Sequence, residues 1–355
     1  MKIVFIAASG SGGHIYPGIA VADEINERFE PIFILSKNQA SKDIISKTSY
    51  KYLTLPVCGM PAVFSLKFLY FLLTLSVSTV KSVFLILKYK PAVCVGMAGY
   101  ASVPVVLAAK LLRKKTLICE QNVVPGKATK LLSKIADTVC LSFEETKKYI
   151  NSKNTIVTGN PVRRELLNAD KSSALKSFGF SDKGQVILIF GGSQGSSKLN
   201  DIAFQTACKL IESQKINVIH VTGKKDFPLI SRKAAKYSEH YKVFEYIYDM
   251  AQAYAASDIV ICRAGAGTIS ELYHLRKPAV LVPYPYAGAH QAQNAKFLEY
   301  KGLAEAIEEA GLNVNILLKA LKGILLKSAP ADFEGGGNIT LPQTIIADEI
   351  LKTGK

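Results

Sequence analysis

Six cysteines are spread over 355 residues, at Cys58, Cys94, Cys119, Cys140, Cys208 and Cys262, and none forms a C-x-x-C pair. That spacing excludes a zinc ribbon and a dithiol redox motif, and the thiols read as cytosolic ones. The five histidines are too dispersed for H-E-x-x-H or any paired-ligand helix, so no metal site is expected. No Asp-x-Asp pair occurs either. The fingerprint G-x-G-x-x-G fails at the first glycine loop, where Ile15 stands at the third glycine position, and no Walker A sequence is present. A dehydrogenase and a P-loop NTPase are disfavoured. Acidic residues are few: 44 Lys+Arg against 28 Asp+Glu leave a net charge of +16, which suits polyanionic partners. Zinc fingers, RNP-type aromatic motifs and basic helices are missing, which makes a basic nucleic-acid-binding protein the remote alternative. The amino terminus, MKIVFIAASGSGGH, lacks an A-x-A-like cleavage site and reads as a first core strand.

What remains is globular: 49% hydrophobic and 20% charged residues, with a length suited to two domains. Ile3 to Ala7 is a strand-length apolar run, followed by a Gly/Ser loop and an amphipathic stretch expected to begin a helix at Pro17. The signature returns at Val186 to Phe190, with Gly191 to Ser197 and a helical pattern behind it. Further short apolar runs fall at 31–35, 92–95, 116–119, 138–141, 217–221, 259–262 and 279–282. Non-alternating strands separated by helices describe parallel sheets covered on both faces. The expected fold class is therefore α/β, two doubly wound Rossmann-like domains joined near Gly159-Asn160-Pro161, spanning 1–161 and 162–340. Ligand is expected between them, outside the carboxyl ends of the strands.

Three glycine loops offer backbone N–H groups at helix starts, a setting for phosphate. They are Ser9 to Gly13, Gly96-Met97-Ala98-Gly99-Tyr100, and Gly191 to Gly195. His14 closes the first and is the candidate general base. Glu271 is expected in or near the first turn of a helix after the small-residue loop Arg263 to Gly267, either complementing the helix dipole or accepting ribose hydroxyls. Gly191-Gly192-Ser193-Gln194-Gly195 also matches the G-x-S-x-G elbow of hydrolases, for which Asp258 with His274 or His290 would complete a triad.

The stretch Phe64 to Leu87 is unusually apolar. Its uninterrupted part, Phe68 to Val80, is thirteen residues, short of the roughly 20 needed to span a bilayer. It reads either as a crossover helix buried against the sheet or as an apolar surface, through Phe68, Phe71, Leu72 and Leu75, that dips into a membrane interface flanked by Lys67, Lys81, Lys88 and Lys90, and the two are compatible when one face packs and the other docks.

Seven segments, SGSGGHIYPGIAVA, GMAGYASVP, CEQNVVPG, GNPVR, GGSQGSSKLN, YDMAQAYAASDIVICRAGAGTISE and HQAQNA, occur in the order and approximate spacing of the MurG family. The chain resembles that family over nearly its whole length. The resemblance implies a GT-B fold and an inverting N-acetylglucosaminyltransferase. Its donor would be UDP-N-acetylglucosamine and its acceptor the 4-hydroxyl of lipid I, with no metal and no tightly bound cofactor. A lipid glycosyltransferase with a diacylglycerol acceptor and a UDP-N-acetylglucosamine epimerase share the architecture and stand as alternatives. By the same resemblance, His14 is catalytic, and Ser11, Gly12, Gly13, Asn122, Arg163, Ser193, Ile247, Ala266, Gly267, Thr268, Ile269, Ser270, Glu271 and Gln291 bind donor. Gly96, Ala98, Gly99 and Tyr100 would serve the acceptor diphosphate. The final helix, 341–355, would cross back onto the first domain, and the enzyme would be peripheral on the cytoplasmic face of an anionic membrane. Two positions depart from the family: Ser11 replaces its usual threonine, and Cys119 stands where many members have histidine.

Overall fold

The structure, a computed structural model, describes residues 1–10, 12–61, 65–181, 184–192, 195–214, 216–286, 290–326 and 340–354. It divides into two units, Met1–Arg163 with Thr340–Lys355, and Arg164–Ile339. Each is an α/β unit built on one all-parallel sheet.

In the first unit, β1 (Lys2–Ala8), β2 (Phe29–Ser36), β3 (Lys51–Leu55), β4 (Val93–Gly96), β5 (Lys115–Glu120), β6 (Thr138–Leu141) and β7 (Thr155–Val157) pair in the order 3-2-1-4-5-6-7. The helices are α1 (Gly12–Ile25), α2 (Gln39–Ile45), α3 (Leu66–Tyr89), α4 (Ser102–Leu111) and α5 (Lys127–Leu132). Successive side chains of β1 go to opposite faces. Val4 and Ile6 join Ile15, Ile19, Ile346 and Ile350 in one core, while Phe5 and Ala7 join Ile86, Val105 and Ala108 in the other. Burial on both faces is why these strands read as continuous apolar runs.

In the second unit, α6 (Glu165–Asn168) and α7 (Lys171–Ser177) precede β8 (Gln185–Phe190), α8 (Ser197–Ser213), β9 (Ile216–Val221), α9 (Phe227–Ala234), β10 (Tyr241–Phe244), α10 (Met250–Ala256), β11 (Ile259–Cys262), α11 (Ala266–Leu275), β12 (Ala279–Leu281), α12 (His290–Tyr300), β13 (Ala304–Ala306) and α13 (Val314–Leu326). The strand order is 10-9-8-11-12-13. The last helix, α14 (Pro342–Thr353), returns to the first unit, where Ile346 and Ile350 are buried and Thr344 Oγ1 donates to Glu24 at 2.9 Å.

The strand order reverses at β1/β4 in one sheet and at β8/β11 in the other. Consecutive loops leave such a pair of strands toward opposite faces, which opens a crevice beyond their carboxyl ends. All the glycine loops follow these four strands.

Two helices differ from their sequence reading. α1 begins at Gly12, so Pro17 lies inside it rather than at its start. The price is one missing hydrogen bond to the Gly13 carbonyl, and the gain in register brings Gly12, Gly13 and His14 into the first turn. α3 runs unbroken through Lys81 for 24 residues, about 36 Å. By length and hydropathy it could therefore cross a membrane, and the thirteen-residue argument against a span does not hold. Instead its polar edge packs: Ser78, Ser82 and Ile86 are buried, and Ser78 Oγ donates to the Pro56 carbonyl at 3.0 Å.

Candidate functional site

At the carboxyl edge of the first sheet, the loops after β1, β4 and β5 meet around His14. Ser9 Oγ accepts the Ala101 N–H at 3.1 Å, joining the first two loops. Gly99 sits at φ +72°, and a Cβ there would lie 2.7 Å from Ser9 Oγ and 3.4 Å from His14 Cδ2. Glycine is needed at this close approach. The third loop reaches in through Gln121, whose Oε1 lies 3.1 Å from His14 Nδ1. Burial lowers the His14 pKa below its ordinary value, against the opposing charge of Glu120 and the bond to Gln121. The imidazole is thus neutral near pH 7, the form a base requires.

Glu120 holds the third loop in shape. It is 1% exposed, and its carboxylate accepts from the Asn122 N–H at 3.0 Å, Asn122 Nδ2 at 3.2 Å and the Gly126 N–H at 3.1 Å. Asn122 is half-buried beside it. The Arg163 guanidinium lies over the Tyr16 ring at 4.5 Å, which sets it against α1. Tyr100 is half exposed, whereas Gly96 and Ala98 are buried. Cys119 points into the core with Val95 and Leu117. A side chain at that position faces away from the loop edge, so the departure from histidine bears on packing here.

The crevice of the second sheet is framed by Gly191, Gly192, Gly195 and Ser196 and by the start of α11. At Gly195, φ is +75° and a Cβ would fall 2.2 Å from the Thr222 carbonyl oxygen, so only glycine fits. Ser11 and Ser193 lie outside the described residues. Of the run Ala266 to Glu271, Ile269 is in the core and Ser270 is buried with its hydroxyl bonded to the Ala266 carbonyl at 3.0 Å. Ala266 is buried as well, while Gly267, Thr268 and Glu271 are partly exposed. The side chains of Ile269 and Ser270 therefore cannot line this crevice, because the helical period turns them inward. Glu271 is the sixth residue of α11, beyond its first turn, and accepts from the Tyr254 hydroxyl at 2.8 Å. Dipole complementation does not account for it, since that effect fades within one turn. Gln291 Oε1 accepts the Tyr284 N–H at 2.9 Å, and Ile247 is half-buried between the exposed tyrosines 246 and 248.

Residues missed in the sequence complete this edge. Arg263, 7% exposed, donates to the carbonyls of Val282 and Pro283 at 3.1 and 3.3 Å and to Ser196 Oγ at 2.6 Å, and ion-pairs with Glu309 at 2.7 Å. Asn294 Nδ2 donates to the Ala264 carbonyl at 3.2 Å. Both stood inside quoted segments, but their partners are distant in the chain.

The hydrolase alternative fails on geometry. Asp258 accepts the Val186 N–H at 2.9 Å and pairs with Lys171, which places it at the amino end of β8. The loop carrying Gly191 follows the other end of that strand, about 20 Å away. On α3, three of the four residues nominated for membrane contact are half-buried: Phe68, Phe71 and Leu75, the last packed on a core with Val103 and Val106. Leu72 is exposed, and with it Leu66, Leu69, Tyr70, Leu73, Val77, Val80, Phe84 and Leu87. The most exposed stripe thus includes Leu72 and not the other three, because an apolar run carries no information on which edge meets the sheet. Among the described residues, no group of three His, Cys, Asp or Glu is placed to hold a metal ion.

Residues 4–141 match the glycosyltransferase family 28 N-terminal domain and residues 186–334 its C-terminal domain. The chain is similar to the UDP-N-acetylglucosamine--N-acetylmuramyl-(pentapeptide) pyrophosphoryl-undecaprenol N-acetylglucosamine transferase of Thermodesulfovibrio yellowstonii, at 37% identity over 91% of this chain and 90% of that one. The protein of the same description from Chlorobaculum tepidum is 37% identical over 98% and 99%. Among solved structures, Acinetobacter baumannii MurG superposes with a TM-score of 0.76 at 26% identity, covering 99% of this chain and 100% of that one.

Proposed function

The chain belongs to the family of pyrophosphoryl-undecaprenol N-acetylglucosamine transferases, and from that premise we propose that it transfers N-acetylglucosamine from UDP to the 4-hydroxyl of the muramyl sugar of lipid I, forming lipid II. The observation that carries the reading is His14, a neutral imidazole held by Gln121 where three loops meet beyond the sheet. Its Nε2 takes the proton as the acceptor oxygen forms a bond to the anomeric carbon. The bond from that carbon to the UDP diphosphate breaks, with inversion. Departing charge is met by main-chain N–H groups at Gly191, Gly192, Gly195 and Ser196 and by the first turn of α11. Glu271 holds the ribose hydroxyls, Ile247 covers the uracil, and Asn122 and Gln291 bind the sugar. Arg163 supplies fixed positive charge near the nucleotide, and the loop Gly96 to Tyr100 receives the acceptor diphosphate.

The acceptor is a lipid, and α3 supports a peripheral site at the cytoplasmic face of an anionic membrane. Its exposed apolar residues are flanked by the exposed Lys67, Lys81, Lys88 and Lys90. An apolar stripe with basic borders lies in an interface without crossing it.

Offering UDP-N-acetylglucosamine with lipid I or with diacylglycerol, and identifying the product by mass, tests the reaction. Lipid II is expected; a glycosylated diacylglycerol would reassign the acceptor. His14→Ala should lower kcat by about 10²–10⁴ while donor affinity stays within about twofold of wild type. A loss confined to binding would remove the base role.

A further inference from the structure

Among the described residues, the Gln121 side chain makes one polar contact in a place where it can have no solvent. The side chain is 1% exposed, its Oε1 is 3.1 Å from His14 Nδ1, and its Nε2 is buried with no partner among the described residues. An unpaired buried amide N–H costs about 1–3 kcal/mol. A methionine or leucine of similar volume would fill the space without that cost, so packing does not explain an amide here. The bond to His14 does.

We propose that Gln121 is a positioning residue that fixes which nitrogen of His14 carries the proton, so that Nε2 is presented as the accepting atom. The proposal rests on the reading of His14 as general base and adds a residue to it. A neutral imidazole has one N–H and one lone pair. An amide oxygen only accepts, so the contact exists when Nδ1 bears the hydrogen, and Nε2 is then left with its lone pair. Nε2 makes no hydrogen bond among the described residues. The opposite amide orientation would place the proton on Nε2 and disable it, so the assignment has chemical consequences. Glu120 makes the aim firm: by accepting from Asn122 and Gly126 it closes the turn that carries Gln121. A neutral partner also suits the task. A carboxylate in its place would hold His14 protonated, whereas the amide oxygen leaves the resting imidazole uncharged and stabilises the imidazolium once formed.

The test uses the full chain with ¹⁵N-labelled histidine and the variants Gln121→Leu, Gln121→Met and Gln121→Glu. Wild type is expected to show His14 as the Nδ1–H tautomer by long-range ¹H–¹⁵N spectra, and the apolar variants to lose that preference. With UDP-N-acetylglucosamine and lipid I, the apolar variants should lower kcat about 10- to 100-fold and leave the donor KM within about twofold. Gln121→Glu should fold and move the acid limb of the kcat profile up by about one pH unit or more. An Nε2–H tautomer in wild type, or an acid limb unmoved in Gln121→Glu, overturns the proposal. The tautomer is read without turnover: if His14→Ala stays active while wild type shows Nδ1–H, the base reading has failed and the positioning by Gln121 has not.

Discussion

The hydroxyl of Tyr254, a residue buried in α10, donates a 2.8 Å hydrogen bond to Glu271 Oε2 in α11. The bond holds the Glu271 carboxylate in one orientation beyond the first turn of α11. Glu271→Ala should weaken UDP binding by about tenfold or more, the scale of a charge-assisted hydrogen bond. Tyr254→Phe should weaken it about two- to fivefold through misorientation alone. Calorimetry with UDP checks both, and equal affinity in Glu271→Ala would end the ribose role.

Arg263 ties the glycine loop to the segment 282–283 and to Glu309. Truncating one partner of a buried ion pair leaves the other uncompensated. Arg263→Met is expected to lower unfolding free energy by about 3 kcal/mol, and adding Glu309→Leu to restore most of it. Urea midpoints of the two variants decide this. A double variant no more stable than the single one would show that the hydrogen bonds to Ser196 and the 282–283 carbonyls dominate.

On α3 the exposed and buried edges should respond differently. Leu69→Ser, Leu73→Ser and Phe84→Ser, each on the exposed stripe, should together reduce binding to anionic vesicles by more than tenfold, since each buried apolar side chain contributes about 1 kcal/mol or more at an interface. Thermal stability should stay unchanged. Ile86→Ala, on the packed edge, should instead cost about 2–5 kcal/mol of stability. Vesicle sedimentation beside a melting curve separates the two, and unaltered sedimentation of the triple variant would remove the interfacial role.

His220 is buried between Tyr241 and Asn200, bonded at 2.8 and 3.1 Å, and burial pushes its pKa down to about 3. Unfolded histidine titrates near 6.5, so between those values the unfolded chain binds a proton that the folded one does not, and stability falls as pH falls. The contribution is about 2 kcal/mol lost by pH 5. Urea unfolding of wild type and His220→Gln between pH 4 and 7 should show a shallower slope in the variant. Parallel slopes would mean that His220 does not set the dependence.

Two parallel sheets were legible because the central strands are buried on both faces, as in VFIAA and VILIF. All four strands absent from the sequence reading, β3, β7, β10 and β13, are sheet edges. KYLTL, TIV, YKVF and AEA are short or carry polar residues, because an edge strand has a solvent side and needs no continuous apolar run. His14, Glu271 and the glycine loops were visible as local patterns at helix starts. Gln121, Arg263 and Tyr254 were not, since nothing in a linear pattern says which distant atom a side chain will face.

Local chemistry in the sequence determined the element types and the residues capable of base, amide and carboxylate work: glycine permits tight turns, apolar runs demand cover, and a histidine can take a proton anywhere. Only the tertiary structure decided their use. Folding brought Gln121 to His14 across 107 residues and turned Ile269 and Ser270 inward. It also chose which stripe of α3 stays bare, because direction and burial are set by what packs on the other side.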